Sequence, residues 1–344
     1  MIFILFFLIF LKTSIWAQIG GRSVYDFLRL TPNARVTSLG GVNITLLDSD
    51  VNLAWFNPAL LNDSMHKAVS INVVNYLSDI TYGYSSFGYH FQNIGTFHAG
   101  IHYVNYGKMQ ETDELGNVKG QFSANDMAIV SGIARDFGNI RFGTNLKLLY
   151  SNIQRFNSFG FALDFGGTWN FPEQNTTIGL VLKNIGTQIT QFNKNAPKSP
   201  LPFEIQLGIT HKPQHLPLRF TTTLVQLQQY RLIQKDPNQK PQLDLSGNPI
   251  PEKKKTFDNI FRHFVFGGEF LISSNFRFRL GYNHLRHQEL KSTGTNFSMA
   301  GWGVGFGLKI KKFILDYGFG NYHVVGGIHS FSILTNLSSF FNRE

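Results

Sequence analysis

The sequence predicts an all-β protein, a fourteen-stranded antiparallel transmembrane β-barrel with an N-terminal hatch or plug. Three observations predict it. Side chains alternate with a period of two over most of the C-terminal two-thirds. Brief connections alternate with longer ones. An apolar leader precedes both. From Ser158 to Phe171, Phe159, Phe161, Leu163, Phe165, Trp169 and Phe171 share one parity, and Ser158, Gly160, Ala162, Asp164, Gly166, Thr168 and Asn170 the other. Successive side chains on a strand point to opposite faces, so one face is greasy and the other small or polar. Arg141–Ser151 and Phe276–Asn283 repeat the pattern with Arg, Lys and Asn opposite aromatics. A polar face recurring strand after strand suits a barrel with lipid outside and a polar lumen inside.

Ile2–Leu11 is an unbroken apolar run, followed by Ile15-Trp16-Ala17. It reads as a signal peptide, 1–17, leaving Gln18 as the mature N-terminus. The run is about half of the roughly 20 residues that a spanning helix needs. No basic residue precedes it, and a retained membrane anchor is the alternative.

Residues 18–66 break the rhythm and are assigned to the hatch. They carry Tyr25-Asp26-Phe27-Leu28, the pair Gly40-Gly41 and the run Asn57-Pro58-Ala59. The glycine pair and Asn57-Pro58 are turn makers. The segment is too apolar for a disordered tail. A compact plug in the periplasmic half of the lumen would hide its apolar residues, and a flap below the barrel is the other placement. Residues 67–344 form the barrel. Its strands are expected near 68–76, 80–91, 95–106, 125–136, 140–151, 158–171, 176–185, 201–211, 217–230, 261–273, 275–284, 296–310, 312–320 and 323–335. Connections after even-numbered strands are brief, as at Gln92-Asn93-Ile94 and Lys311. Those after odd-numbered strands are mostly longer: Gly107–Ala124, Gly186–Pro200, Arg231–Ile260 and Leu285–Thr295. Short periplasmic turns opposite long outer loops are the barrel habit, which places both termini in the periplasm.

Two outer loops are candidate partner-binding surfaces. Arg231–Ile260 holds four prolines and the run Lys253-Lys254-Lys255, which offers charge to an acidic partner or to lipopolysaccharide phosphates. Gly107–Ala124 carries Glu111, Asp113 and Glu114 and would oppose it. Both also fit plain solvated loops.

The composition fits a barrel. There are 34 Phe and 33 Gly, and no Cys for disulfides or thiolate metal sites. The net charge of +10 matches no nucleic-acid-binding motif. For an exported protein an anionic lipopolysaccharide or acidic partner is the apter counter-charge. No enzyme signature is present, and no cofactor or metal site is expected. There is no Gly-x-Ser-x-Gly elbow, His-Glu-x-x-His or Walker loop. Gly301, Gly303, Gly305 and Gly307 have the spacing of one strand face. His98 and His102 would sit roughly 13 Å apart on a strand, too far to chelate. Arg277, Arg279, Arg141 and Lys147 fall on lumen parity with Asp164, Glu269 and Asp316. Ion pairing is the favoured reading and an anion path the other.

The N-terminal segment also carries a resemblance. Arg35-Val-Thr-Ser-Leu-Gly-Gly-Val, Asp48-Ser-Asp50 and Trp55-Phe56-Asn57-Pro58-Ala59 resemble the hatch of FadL-like outer-membrane barrels. The opening Gln18-Ile-Gly-Gly-Arg22-Ser-Val-Tyr-Asp-Phe-Leu is similar to the PorV/PorQ family of the Bacteroidota type IX secretion system. That resemblance implies a non-catalytic outer-membrane member of the surface attachment machinery. Such a member holds a PorZ-like surface protein while cargo is linked to lipopolysaccharide. A FadL-like transporter of hydrophobic small molecules is the alternative, and an exported β-sandwich a third. The transporter should show an apolar pocket between hatch and wall, and a lateral opening at a kinked strand.

Overall fold

The computed structural model describes residues 23–233, 256–290, 299–322 and 326–341. The leader 1–17, the mature N-terminus at Gln18 and the Lys253–Lys255 run lie outside the described residues. Among the described residues, fourteen antiparallel strands close into one barrel, each paired with its sequence neighbours and β1 with β14. They are β1 Ala68–Asn75, β2 Thr81–Phe91, β3 Gly95–Thr112, β4 Val118–Phe137, β5 Ile140–Ile153, β6 Phe156–Phe171, β7 Thr176–Thr190, β8 Glu204–His211, β9 Leu218–Leu224, β10 Phe264–Phe270, β11 Phe276–Asn283, β12 Trp302–Ile310, β13 Phe313–Gly320 and β14 Ile328–Asn336. Four helices accompany them: α1 Ala34–Ser38, α2 Thr256–Phe261, α3 His284–Leu290 and α4 Ser338–Phe341.

The parity of the sequence is the parity of the wall. Phe159, Phe165 and Trp169 on β6 are exposed, whereas Ser158, Ala162 and Asp164 between them are buried. Phe161 therefore faces out and Asp164 in. Ile71, Ile101, Phe142, Leu148, Phe278, Phe306 and Phe331 continue the exposed apolar face around the barrel. Soluble monomers rarely expose so continuous an apolar surface, and on a closed barrel this face is the lipid-facing one.

Several boundaries differ from the sequence reading. The connection read as Gly107–Ala124 is mostly strand, because β3 runs to Thr112 and β4 starts at Val118. Backbone pairing continues there past the apolar belt, where neither face needs greasy side chains and the rhythm fades. Conversely, β9 ends at Leu224 instead of running to 230, with Gln226 at φ 55 turning the chain away. Residues 261–263 are not strand, since α2 occupies the approach to β10. The wall is lopsided. β3 and β4 have 18 and 20 residues, but β9 and β10 have 7 each.

Residues 23–66 fill the barrel. The chain begins at the rim with the longer connections, where the Val24 amide donates to Pro200 O at 2.9 Å. Tyr25 meets Ser158 near the start of β6. The chain descends past α1, which lies against β12, β13 and β14. It reaches the short-turn rim at His66 and enters β1. The segment thus spans the height of the barrel rather than only its short-turn half. Its first described residues lie at the rim opposite α4. The reason for this span lies in the segment's length: its apolar residues recur from Phe27 to Met65, and only the whole lumen can bury them all. The two chain termini, expected on one side, lie outside the described residues.

Candidate functional site: the filled interior

The interior is built where this segment meets the lumen-facing side chains. Phe27, Leu28, Leu39, Ile44, Leu53, Trp55, Phe56 and Leu60 pack with Tyr82, Tyr84, Val104, Val130 and Val181 of the wall in one buried cluster. A second cluster, Val51, Ala54, Leu61 and Met65 against Ala68, Ala134 and Leu334, closes the short-turn end.

Local chemistry shapes the segment. Asn33 caps α1 by accepting from the Val36 amide at 3.0 Å. Gly40 and Gly41 follow with φ of 90 and 91, the left-handed region that favours glycine. A Cβ on Gly41 would collide with the Tyr322 hydroxyl. Asn57 caps the 3-10 turn Pro58–Leu60, accepting from the Ala59 amide at 2.9 Å, and its Nδ2 donates to Ile44 O at 2.8 Å. Pro58 at the first position loses no needed donor. This turn presses on Gly143 and Gly166 of the wall. A Cβ on Gly166 would strike Asn57 Oδ1, and one on Gly143 would lie 2.5 Å from the Pro58 carbonyl carbon. The lumen glycines here exist to let the turn approach. Asn57→Ala removes a cap and a buried bond to Ile44. It should cost about 1–3 kcal/mol, read as a lower urea midpoint in detergent micelles.

An ion-pair network ties the segment to the far wall. Arg35 of α1 is buried and donates from Nε to Glu269 Oε1 at 2.9 Å and from Nη2 to Glu269 Oε2 at 3.0 Å. The same Nη2 reaches Asp48 Oδ2 at 2.9 Å. Glu269 also accepts from Arg279 at 2.9 Å and Arg219 at 3.1 Å. Arg279 continues to Asp316 at 2.5 Å, and Arg277 lies 3.6 Å from Asp48. Burial opposes ionisation of Asp48, but Arg35, Arg219 and Arg277 outweigh it and hold its carboxyl well below its ordinary value. Asp50 is different. Burial pushes it up to about 6, because Arg35 at 3.8 Å only partly offsets the lost solvation. A folded pKa above the unfolded one makes the ionised form costly. That cost is absent below pH ~4 and fully present once the pH has risen through 6. Asp50→Asn should therefore stabilise the protein by on the order of 1–3 kcal/mol at pH 8 and by almost nothing at pH 4. Urea unfolding at both pH values checks this.

On the other side of the segment, Lys147 and Asp164 form a fully buried pair at 2.7 Å. Lys147 also donates to Asn184 Oδ1 at 2.9 Å and sits 4.7 Å from the Trp55 ring centre. Arg141 is not part of this interior chemistry, as it pairs with Asp136 near the short-turn rim. His98 and His102 face inward. His98 Nε2 bonds Asn145 Oδ1 at 2.8 Å, and Asn145 Nδ2 in turn donates to Ala54 O. His102 stacks on Phe27 and meets Trp55 edge-on. Among the described residues no three His, Asp or Glu are placed to hold a metal ion. The even-spaced run Gly303, Gly305 and Gly307 lies on one inward face of β12, where the backbone of Thr37 and the side chains of Ser38, Asp316 and Arg279 come close.

The loop candidates are scattered. Glu111 lies in β3 and accepts from Gln154 Nε2 at 2.9 Å. Asp113 closes the hairpin turn, accepting from the Leu115 and Asn117 amides, and Glu114 is exposed at the tip. The structure brings the glycine pair and the Asn57 turn to the interior and keeps the acidic residues on the hairpin. Sequence reasoning missed Arg35, Asp48, Asp50 and Arg219. The signal for the first three was charge retained within an otherwise apolar segment, and Arg219 shares the inward parity of Thr221 and Thr223 on β9.

Among the described residues, register shifts interrupt the β3–β4 pairing at Asn105/Lys108 and Glu111/Thr112 and the β6–β7 pairing at Phe159/Gly160 and Leu163/Phe165. β7 bulges at Lys183–Asn184, with Asn184 at φ 59 and its amide donating to Asp164 Oδ1 at 2.8 Å. Pairing with β8 stops at Lys183 and Glu204. Beyond it, the connection from β7 to β8 covers β7, through Asn184 Nδ2 to Pro202 O and the Ser199 amide to Gln188 Oε1.

No family model and no curated protein matches the chain. Solved structures do. The toluene transporter TbuX of Ralstonia pickettii superposes with a TM-score of 0.52 at 13% identity, over 90% of this chain and 98% of that one. The toluene transporter TodX of Pseudomonas putida gives 0.52 at 11% identity, over 89% and 96%. A FadL homologue of Pseudomonas aeruginosa gives 0.52 at 9% identity, over 89% and 98%. At such identities the likeness is one of fold, and the fold of this chain is that of the FadL-type barrels.

Proposed function

We propose that this protein is an outer-membrane barrel, exported by its 1–17 leader, that anchors a surface partner and catalyses nothing itself. The observation that carries the reading is the filled interior. The Arg35–Glu269 and Lys147–Asp164 pairs and the two apolar clusters leave the lumen stopped by the protein's own chain. A barrel with a stopped lumen still offers its outer rim. The resemblance of the opening residues 18–35 to the PorV/PorQ family makes the partner a PorZ-like protein of the type IX attachment machinery. The rim with longer connections then faces the cell exterior. Planar-bilayer recording should show no steady conductance. Deleting residues 239–255 should release the co-purifying surface protein while the barrel stays assembled. Steady conductance, or no co-purifying partner of the intact barrel, contradicts the proposal.

A second reading is transport of hydrophobic small molecules. Two observations favour it: TbuX and TodX are toluene transporters, and β7 runs on to Thr190 beyond the end of its pairing with β8 at Lys183 and Glu204. The comparisons lean to this reading over anchoring, and the stopped interior leans the other way. Saturable binding of toluene or a fatty acid to the assembled barrel would establish it.

A further inference from the structure

We propose that the outer face of β3–β6, just beyond the apolar belt, binds the headgroup of an anionic glycolipid of the outer leaflet, its amides taking sugar hydroxyls and its cations phosphates. This rests on the outer-membrane reading above. Asn105 pairs with Asn125, Asn125 with Asn152 and Asn152 with Asn157, so four asparagines on four adjacent strands form one continuous row. All four share the outward parity of the lipid-facing residues two positions on: Tyr103, Met127, Tyr150 and Phe159. With ~3.3 Å rise per residue and strands tilted ~40°, the row lies roughly 25–35 Å from the short-turn rim. An apolar band is about 25 Å tall, so the row falls in the headgroup layer.

The side chains of Asn125, Asn152 and Asn157 form no hydrogen bond among the described residues, which leaves donors and acceptors for sugar hydroxyls. Directly above lies an open cleft of about 580 Å³ lined by Lys108, Gln121, Phe122, Ser123, Gln154 and Arg155. Lys108 pairs with Ser123, two residues beyond Asn125 on the same strand, so it shares the outward parity. Neither Lys108 nor Arg155 forms an ion pair among the described residues. Glu111 of β3 is held by Gln154, and Asp113 and Glu114 lie farther out, in the hairpin turn. Two unpaired cations above neutral amides suit phosphate esters on a saccharide better than a simple phospholipid, whose headgroup lacks the hydroxyl array.

Native mass spectrometry of the full-length protein in detergent tests this, with rough lipopolysaccharide, phosphatidylglycerol and phosphatidylethanolamine as probes. The expected result is preferential retention of the lipopolysaccharide, with inorganic phosphate unable to displace it. Lys108→Ser and Arg155→Ser should each weaken retention about fivefold, the worth of one cation near an anionic surface. Asn125→Leu with Asn152→Leu should remove the preference over phosphatidylglycerol. Equal retention of the three lipids, displacement by inorganic phosphate, or a preference unchanged in all variants would overturn the proposal. Heat-modifiable gel migration reports barrel assembly separately. A wild-type barrel that does not insert into bilayers refutes the membrane reading instead.

Discussion

Replacing Glu269 with alanine should release residues 23–66 from the barrel interior. Glu269 is fully buried on β10 and accepts from Arg35, Arg279 and Arg219. Without it, Arg35 and Arg279 remain buried with carboxylates on one side only. Removing one partner of a buried pair typically costs 3–5 kcal/mol, because the other charge stays behind without compensation. The fourteen strands keep their own ladder, so the loss should fall on the segment. Trypsin should cut after Arg35, which is buried in the wild type, in Glu269→Ala and leave the wild type intact there. Adding Arg35→Met should recover part of the protection, since it withdraws the stranded charge. A Glu269→Ala variant as resistant as the wild type would show that the network does not hold the segment.

The second large effect lies on β6. Phe161→Arg puts a cation on the lipid-facing wall and should cost roughly 2–4 kcal/mol, read as impaired assembly into liposomes. Asp164→Asn, an inward-facing change on the same strand, is not a mild control for this one. Asp164 is buried against Lys147 and also accepts from the Asn184 amide at the β7 bulge. Neutralising it strands Lys147 beside Trp55, at a cost on the order of 3 kcal/mol. A suitable mild control is Ser123→Ala, on the outward face above the belt. If Asp164→Asn assembles and resists urea like the wild type, the Lys147 pair is not a structural tie.

The fold was legible because lipid writes itself into a sequence every second residue. β5, β6 and β11 could be read to within a residue or two, since their outward positions are nearly all aromatic or aliphatic. The tops of β3 and β4 were not legible, because Lys108, Gln110 and Gln121 stand above the belt, where pairing needs no apolar face. The β7 bulge left no mark either. It depends on Asp164 meeting the Asn184 amide across the strand pair, a contact no periodicity records. In the site, Glu269, Arg279 and Asp316 were legible as inward charges from parity alone. Their partners Arg35 and Asp48 were not, since residues 23–66 have no repeating geometry to place them. Asn57-Pro58 and Gly40-Gly41 read as turns, yet nothing in the sequence said that the turn would press on Gly143 and Gly166.

Hydrogen–deuterium exchange on the full chain in lipid nanodiscs tests the central claim most directly, namely that the protein's own N-terminal segment stops its barrel. Amides of the segment from Ala34 to Leu61 should exchange as slowly as those of β4 and β5. Exchange of that segment at the rate of an unstructured peptide, with the strands still protected, would contradict the account.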